Sequence, residues 1–350
     1  MISNTSSIFK QQDCSFSCFL VAEIGVNHNG CVNKAMKLID SAIRCGANAV
    51  KFQSFIPEEL ATNLASKAEY QKIGNEKSKN QLGMLKKLSL SFQETLKLKD
   101  YCEARNIVFI TTPFDFLSLN YCSKLGLKMI KISSGDLNNY PFIASVSKLN
   151  IPIILSTGMG SVAEISKAIS TIKDNGNPSY LLLQCTTSYP APVGSSNLNA
   201  MVSMGVCFDC NVGFSDHTIG SVAAIVSRTL GARIIEKHFT LDKNDIGPDH
   251  KASADPSEFS KLVSDVRNAE KALGSSHKAP SDVEKQNKVF TRKSIVASAD
   301  IKKGQLITSK DITFKRPGTG LNPEFCDLII GKSARMDIPK NTLLDFSNLA

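Results

Sequence analysis

Short apolar runs alternate with amphipathic segments between residues 18 and 274 of the chain. Each run has the length and the β-branched or aromatic content of a strand, and a polar or glycine-containing turn follows it. The runs occupy residues 18–25, 49–55, 107–114, 127–134, 151–158, 180–187, 211–217 and 233–240. The pattern predicts eight strand–helix units in succession.

Helix boundaries are marked within the amphipathic segments. Several segments begin at Asn or Ser and end at Gly, as capped helices do. In the last one, Asp255 is expected as the N-cap and Pro256 as the first helical residue. The segments with helical spacing are residues 33–46, 91–106, 161–176, 219–231 and 255–274.

Eight strand–helix units over about 250 residues match the size of a TIM barrel. We therefore predict an α/β fold, a TIM (β/α)8 barrel, over residues 18–274. An open doubly wound sheet fits less well, because it does not need eight units and no GxGxxG motif follows the first strand. Residues 56–88 form an insertion after the second strand, which we expect at the rim of the active site.

The two ends of the chain differ from this repeat. Residues 1–17 are polar, lack the apolar core of a signal peptide and are interpreted as a loosely ordered lead-in. Residues 275–288 are also polar and are interpreted as a linker. Residues 289–350 contain short strands and turns, which predict a small, mostly-β domain. A domain of about 60 residues is marginally stable alone, so we expect it to dock onto another surface.

The composition excludes some classes of partner. With 42% hydrophobic and 21% charged residues among 350, the chain has the composition of a soluble globular protein. No apolar run approaches the roughly 20 residues of a membrane span, so we expect a cytoplasmic location and no membrane partner. The net charge is +9, but basic residues do not cluster with aromatic ones, so we expect no nucleic-acid partner.

The ten cysteines are scattered along the chain and are interpreted as free thiols in a reducing compartment. Cys207 and Cys210 have the CxxC spacing of a redox or zinc site. No second CxxC motif accompanies them, which favours buried or incidental cysteines.

Two of the five histidines end neighbouring strands, His217 the seventh and His238 the eighth. The C-terminal ends of barrel strands meet at one face, so both imidazoles are expected to reach one metal ion. Glu236 shares the strand face of His238, because side chains alternate with period two. Such a set suits a divalent first-row metal with open positions, and the alternative is simple packing. His28, in the motif VNHNG, is expected at the barrel mouth.

Lys51 and Lys131 interrupt strands that are otherwise apolar. A buried lysine is costly unless it faces the barrel mouth and meets an anion there. The two lysines therefore indicate a phosphate or carboxylate site, or else buried ion pairs with Glu23 or Glu236. Other polar side chains that end strands or follow them are Gln53, Thr112, Ser134, Ser156, Thr187, Ser188 and Tyr189.

The ordered set of motifs resembles the sialic acid synthase family, which makes nine-carbon 2-keto sugar acids from phosphoenolpyruvate and an N-acetylated hexose. The likeness covers nearly everything from Val21 onward. The C-terminal segments RKSIVASADIKKGQLIT and FKRPGTG resemble the antifreeze-like (SAF) domain of that family. The barrel motifs, in the order of the family, are AEIGVNHNG, VKFQSF, TTPFD, KISSGD, LSTGM, CTTSYPAP, GFSDHT, IEKHFTLDKN and GPDHKAS.

The resemblance implies that His217 and His238 bind a divalent metal, with Mn²⁺ as the expected ion and Mg²⁺ or Co²⁺ as alternatives. It also implies that the lysines offset the charges of phosphoenolpyruvate and that the glutamates position water or move protons. The residues expected to act in catalysis are Glu23, Lys51, Lys131 and Glu236.

The resemblance further implies a set of substrate contacts. Tyr189 and Asp249, with Glu23, are expected to hold the open-chain sugar, and the other side chains to hold phosphoenolpyruvate. Thr187 stands where sialate-making relatives often carry Asn. The substrate-binding residues expected in the barrel are Gln53, Thr112, Ser134, Ser156, Thr187, Tyr189, Ser215 and Asp249.

In the C-terminal domain, the resemblance implies that Arg316 grips the acetamido group of the sugar and that Phe290 adds a backbone contact. Arg316 is expected to reach the active site of a partner subunit, which requires a domain-swapped homodimer. That arrangement would also give the small domain the surface it needs for docking.

Three functions follow as expectations. The first is an N-acetylneuraminate synthase, a metal-dependent transferase that uses N-acetylmannosamine. The second keeps the same barrel and chemistry but makes N,N'-diacetyllegionaminate or pseudaminate. The third is a non-catalytic barrel that only binds a sugar or an anion, against which the presence of both lysines and both histidines argues.

Overall fold

The structure is a computed structural model that describes residues 6–9, 17–67, 80–177 and 179–350. The chain divides into two compact units, Met1–Gly274 and Ser275–Ala350. Among the described residues, every helix is too short or too polar to cross a membrane.

Eight parallel strands form the first unit, as the apolar runs predict. Their order in the sheet is β3-β2-β1-β8-β7-β6-β5-β4, and β3 and β4 approach each other with Cα atoms within 8 Å. The sheet is therefore a nearly closed barrel, and the predicted TIM-type fold is confirmed. The strands are β1 Phe19–Gly25, β2 Ala49–Ser54, β3 Val108–Pro113, β4 Ile130–Ile132, β5 Ile153–Ser156, β6 Tyr180–Cys185, β7 Val212–Asp216 and β8 Ile234–His238.

Helices follow the strands, and the expected helical segments all contain one. Asp255 caps its helix by accepting a hydrogen bond from the Glu258 amide, with Pro256 in the first turn as predicted. The helices of this unit are α1 Ser6–Phe9, α2 Val32–Arg44, α3 Pro57–Leu60, α4 Gln81–Leu88, α5 Phe92–Ala104, α6 Phe116–Cys122, α7 Tyr140–Ser147, α8 Val162–Asp174, α9 Leu198–Phe208, α10 Val222–Thr229 and α11 Pro256–Leu273.

Side-chain alternation along the strands separates two apolar layers. Leu20, Ala22 and Ile24 of β1 belong to the layer between the strands and the helices. Phe19 and Val21 belong to a separate cluster inside the barrel. The interior cluster comes from the first halves of the strands, so the same inward face is left for polar side chains at the C-terminal strand ends. Other members of the interior cluster are Ala49, Val108, Ile110, Met129, Ile154, Leu181, Leu183 and Ile234.

The N-terminal segment contributes to the barrel, so its interpretation as a loose lead-in is wrong for residues 6–9. Ile8 of α1 is fully buried and belongs to the interior cluster. Its carbonyl accepts a hydrogen bond of 2.9 Å from Asn211 Nδ2, just before β7. Ile8 therefore covers the apolar interior at the N-terminal ends of the strands, where burial of a large aliphatic side chain stabilises by about 2 kcal/mol. The rest of the lead-in, except Ser17, lies outside the described residues.

The second unit has its own small core, which includes Ile295, Ile307, Ile338 and Leu344. Its strands β9 Ser294–Ala297 and β10 Ile312–Lys315 pair antiparallel, and isolated bridges join the remaining turns. The expected linker, residues 275–288, contains the start of a helix. Here Ser281 and Glu284 form a capping box. This spacing marks the start of a helix, but the interpretation as a linker considered only the polar composition. The helices of this unit are α12 Asp282–Thr291 and α13 Cys326–Ile329.

His28 is buried against Phe52, with ring centroids 6.0 Å apart, and does not line the barrel mouth. Its Nδ1 accepts a hydrogen bond of 3.0 Å from the Gly30 amide. Burial lowers the pKa of His28 from 6.5 to about 4. Between these values the unfolded chain binds a proton that the folded chain does not, so stability is complete above pH 6.5 and falls as the pH drops towards 4.

We predict that the free energy of unfolding drops less between pH 6.5 and 4.5 in the His28→Asn variant than in the native chain. The difference between the two drops should be about 2 kcal/mol. Urea unfolding at a series of pH values measures this. Burial also lowers the pKa of His250 to about 4, so part of the pH dependence is retained. The His277→Asn variant, changed at an exposed histidine, is the matched control. An unchanged slope in His28→Asn would contradict the assignment.

Candidate active site

A cavity of about 380 Å³ opens at the C-terminal ends of the strands, and every strand contributes to its lining. The structure brings together in it all fourteen site residues predicted in the barrel. Those within strands point inward by alternation, and the others follow the C-terminal strand ends. The fourteen residues are Glu23, Lys51, Gln53, Thr112, Lys131, Ser134, Ser156, Thr187, Tyr189, Ser215, His217, Glu236, His238 and Asp249.

Two lysines and two glutamates form a buried charge cluster at the floor of the cavity. Lys51 Nζ lies 2.6 Å from Glu23 Oε2 and 3.8 Å from Glu236 Oε1. Lys131 Nζ lies 2.6 Å from Glu236 Oε1, which also accepts a hydrogen bond of 3.1 Å from Ser215 Oγ. The two interpretations of the lysines are therefore compatible, because they are ion-paired and also face the cavity.

The two carboxyl groups of this cluster have different acidities. Burial raises the pKa of Glu23 to about 7, although the neighbouring Lys51 opposes the rise. Burial acts in the same direction on Glu236, but Lys131 and Lys51 together lower its pKa to about 2. Glu236 is thus a permanent counter-ion, whereas Glu23 can gain or lose a proton near neutral pH. Such a division suits acid–base work by Glu23.

Hydroxyl groups beside Lys131 form a cradle after β4 and β5. Ser134 Oγ donates to Ser156 Oγ at 2.9 Å and accepts from the Gly158 amide at 2.9 Å. A Cβ atom on Gly158 would lie 2.7 Å from Thr187 Oγ1 and 2.8 Å from Ser134 Oγ, so only glycine leaves this space open. Hydroxyls next to an ammonium group form a site suited to phosphate or carboxylate.

The two imidazoles at the ends of β7 and β8 lie side by side, with ring centroids 5.4 Å apart. His217 Nδ1 donates to the Thr186 carbonyl at 2.7 Å, so Nε2 is the ring nitrogen left for a metal ion. Burial lowers the pKa of His217, but the contact with Cys185 outweighs it and raises this pKa above its ordinary value. His238 Nδ1 is buried without a hydrogen-bond partner among the described residues. Burial and the neighbouring His217 keep the pKa of His238 well below its ordinary value, so that its imidazole is neutral.

These donors fit a divalent cation with several open positions. The described part of the chain contains no cluster of three or more His, Cys, Asp or Glu arranged as metal ligands. The protein would therefore supply two nitrogen ligands, and water or substrate oxygens would complete the shell. Asp249 lies beside the pair, with Oδ2 4.0 Å from His238 Nδ1, and burial raises its pKa to about 6.

A second buried ion pair supports the imidazoles from behind. Lys237 and Asp216 alternate with the site residues of β8 and β7, and their side chains meet at 2.9 Å between Nζ and Oδ2. Lys237 Nζ also donates to the carbonyls of Thr218 and Gly220 in the loop after His217. This pair joins the ends of the two strands and fixes the separation of the two histidines.

Several residues of the cavity were not predicted from the sequence. Cys185 lies 3.9 Å from His217 Nδ1, and its inward position could have been read from the alternation with Leu181 and Leu183. Another group comes from α3 and α4, within the insertion that was expected at the rim. Residues 68–79 of that insertion lie outside the described residues. The missed residues from the insertion are Leu60, Gln81, Met84, Leu85 and Leu88.

Phe290 and Arg316 belong to the second unit, where the structure brings them close to each other. Arg316 Nε donates to the carbonyl of Thr291, the residue after Phe290, at 3.1 Å. Both side chains are exposed. The Arg316 side chain is therefore held next to the backbone at the end of α12, on the surface of the small domain.

The Lys51–Glu23 pair generates a stability prediction. Replacing Lys51 by Met leaves a buried carboxyl without its cation, and we expect the free energy of unfolding to fall by about 3 kcal/mol at pH 8. Adding Glu23→Gln removes the uncompensated charge and should restore at least half of that loss. Urea unfolding measures both. Lys86→Met, at the exposed Lys86–Glu58 pair, is the matched control with little expected change. No recovery in the double variant would argue against the pairing.

Comparisons with known proteins agree with this geometry. Residues 38–278 match the model of the NeuB family, and residues 292–350 match the SAF domain. The N,N'-diacetyllegionaminic acid synthase of Campylobacter jejuni is 42% identical over 327 residues, which cover 93% of this chain and 98% of that protein. The enzyme of the same name from Legionella pneumophila is 41% identical over 339 residues, covering 96% and 95% of the two chains.

Solved structures lead to the same family. The crystal structure of the N-acetylneuraminic acid (sialic acid) synthetase from Leptospira borgpetersenii has a TM-score of 0.68 to this chain at 33% identity. The match covers 78% of this chain and 90% of the Leptospira chain. The predicted family resemblance is confirmed: the chain belongs to the NeuB family of sugar-acid synthases and carries a C-terminal SAF domain.

Proposed function

We propose that this protein condenses phosphoenolpyruvate with an N-acetylated hexose to give a nine-carbon 2-keto sugar acid and phosphate. One observation carries the proposal: two lysines, a hydroxyl cradle and two imidazoles line the same cavity. The lysines and the hydroxyl cradle suit a phosphorylated carboxylate. A metal ion held by the imidazoles would supply the electrophilic centre that a carbonyl acceptor needs.

In this proposal the phosphate and carboxylate of phosphoenolpyruvate lie between Lys131 and the cradle of Ser134 and Ser156. Lys131 Nζ lies 2.6 Å from Glu236 Oε1, so the incoming anion competes with Glu236 for this ammonium group. Because the ammonium groups are already in place, they offset the substrate charge without reorganising during the reaction.

The reaction forms a bond between C3 of phosphoenolpyruvate and the aldehyde carbon of the sugar, and the aldehyde oxygen takes up a proton. Water adds to C2 and loses a proton, and phosphate then leaves to give the ketone. Glu23, held 2.6 Å from Lys51, is the group placed to move these protons. His217 and His238 would hold a divalent metal, Mn²⁺ by expectation, which supplies Lewis-acid polarisation of the aldehyde when bound.

The identity of the acceptor belongs to the proposal as well. N-acetylmannosamine and the pseudaminate precursor are compatible with the same chemistry. Similarity favours a diacetylated hexose, because two relatives at 41% and 42% identity are named N,N'-diacetyllegionaminic acid synthases. The test is phosphate release from phosphoenolpyruvate, with product mass, across a panel of amino sugars with and without Mn²⁺. Release with none of them would favour a barrel that only binds sugars or anions.

We predict that His238→Ala lowers kcat/KM more than about 100-fold, because metal polarisation supplies several kcal/mol. Treatment with a chelator should have the same effect and be reversed by Mn²⁺. Loss of Mn²⁺ binding in His238→Ala, followed by electron paramagnetic resonance, separates metal loss from unfolding. His277→Ala, at an exposed histidine, is the control. Full turnover in chelator-treated protein would refute the metal role.

We propose that Arg316 acts in the site of a partner subunit, since its side chain is exposed on the small domain. Lys131→Met removes a site lysine and Arg316→Ala removes the reaching side chain, so each variant alone should be inactive. Co-expression of the two, with different tags, should restore about one quarter of the native activity, because one site in four then has both residues. Action within one subunit predicts no restoration.

A further inference from the structure

The segment between β8 and α11 forms part of the cavity wall. It spans residues 239–255, which we call the β8 loop, and its Pro248 and Asp249 line the cavity. The two ends of the loop are joined, because the Ala254 amide donates to the His238 carbonyl at 2.8 Å and the Thr240 amide donates to the Ala254 carbonyl at 3.0 Å. The position of Asp249 between these ends therefore depends on contacts with other parts of the barrel.

Asn27, in the loop after β1, makes the first of these contacts. Its side chain is fully buried, and Nδ2 donates to the Phe239 carbonyl and to Ser253 Oγ, both at 2.9 Å. Ser253 Oγ in turn donates to the Asp249 carbonyl at 2.6 Å. A continuous path of buried hydrogen bonds therefore runs from the loop after β1 to the backbone of Asp249.

Asn29 makes a second contact two residues later. Its Nδ2 donates to the Ile246 carbonyl at 2.9 Å, and its Oδ1 lies 3.3 Å from His250 Nε2. His250 is fully buried, with Nδ1 2.6 Å from Thr240 Oγ1. Because Asn29 Oδ1 can only accept, Nε2 carries the proton of the neutral ring and Nδ1 accepts from the Thr240 hydroxyl. The residue next to Asp249 is thus held on both sides of its ring.

The β8 loop packs tightly against this second contact. A Cβ atom on Gly247 would lie 2.7 Å from His250 Cδ2 and 3.0 Å from Asn29 Oδ1, so a larger residue would force the loop and the two side chains apart. The approach of the Gly247 backbone therefore adds to the hydrogen bonds in fixing the segment that leads into Asp249.

Two ion pairs also connect the β8 loop with its surroundings. Lys34 and Asp245 lie 2.9 Å apart, as do Lys243 and Glu258, and all four side chains are partly exposed. Solvent screens such pairs, so they hold the loop less firmly than the buried hydrogen bonds do.

We infer that four side chains that do not line the cavity are positioning residues, which hold the β8 loop so that the Asp249 carboxyl faces the cavity, 4.0 Å from His238 Nδ1. The inference rests on the proposed function, with Asp249 as the expected contact of the acceptor. We call the four the loop clamp, and they are Asn27, Asn29, His250 and Ser253.

Two variants test the loop clamp. Asn29→Gly removes the side chain, and glycine adopts the φ of 52° at this position without strain. Ser253→Ala removes the hydroxyl that joins Asn27 to the Asp249 carbonyl. Each should lower kcat/KM for the acceptor about tenfold, because rate falls steeply when a contact is misplaced. KM for phosphoenolpyruvate should stay within about twofold, since the lysines and the hydroxyl cradle belong to other strands.

Each variant has a matched control. Asn150→Gly makes the same change at an exposed residue with φ 54°. Ser147→Ala makes the same change at a fully buried serine, whose Oγ donates to the Ile143 carbonyl within its own helix. Both controls should keep native kinetics, and unfolding midpoints identify misfolded variants. Folded clamp variants with native kinetics, or with an equal rise in KM for phosphoenolpyruvate, would overturn the inference.

A double-mutant cycle separates positioning from a general loss of structure. If the clamp acts through Asp249, Asn29→Gly and Ser253→Ala should lower kcat/KM by no more than about twofold further in the Asp249→Ala background. Losses that multiply in that background would contradict action through Asp249.

Amide hydrogen exchange tests the clamp without any turnover. The Ala252 and Ser253 amides donate within the β8 loop, to the carbonyls of Asp249 and His250. They should exchange about tenfold faster in Asn29→Gly, whereas Asn150→Gly should exchange like the native chain. Native exchange in folded Asn29→Gly would overturn the inference. Absence of turnover by the native protein with every amino sugar would instead refute the proposed function.

Discussion

Four buried charges of alternating sign, Glu23, Lys51, Glu236 and Lys131, hold the floor of the cavity together. An isolated charge in this position would cost several kcal/mol, and each of these charges is stable only because its neighbour has the opposite sign. The arrangement keeps two buried ammonium groups at the wall of the cavity, where an anionic ligand can reach them. It also explains how a barrel can bury polar strand ends without losing its fold.

Each strand of the barrel is divided into an apolar first half and a polar second half, and this division positions the charge cluster. The inward side chains of the first halves pack against one another, and those of the second halves line the cavity. The outward side chains meet the helices, and among them the Lys237–Asp216 pair joins the two strands that present the imidazoles. The position of each site residue is thus fixed on both sides of the sheet, by apolar packing below and by an ion pair behind.

Much of this could be predicted from the sequence, because period-two alternation in a run of known direction fixes which side chains point inward. Glu236 was assigned to the face of His238 on that basis, and both side chains line the cavity. The apolar side chains that α3 and α4 add to the cavity could not be predicted, because these helices lie in an insertion whose position depends on tertiary packing. Their hydrophobic residues look like those of any amphipathic helix. The role of Ile8 was hidden similarly, since one aliphatic residue in a polar segment carries no periodic signal.

The contact of Ile8 with Asn211 has a consequence for the order of events in folding. The hydrogen bond joins residues 203 positions apart, so α1 cannot dock until β7 has been synthesised. Domains fold as units during synthesis, and contacts between distant residues form late. Helix α1 is therefore synthesised before the strands of the barrel but is among the last of the described elements to reach its native position, and until then the apolar interior is open at one end to chaperones and to other nascent chains.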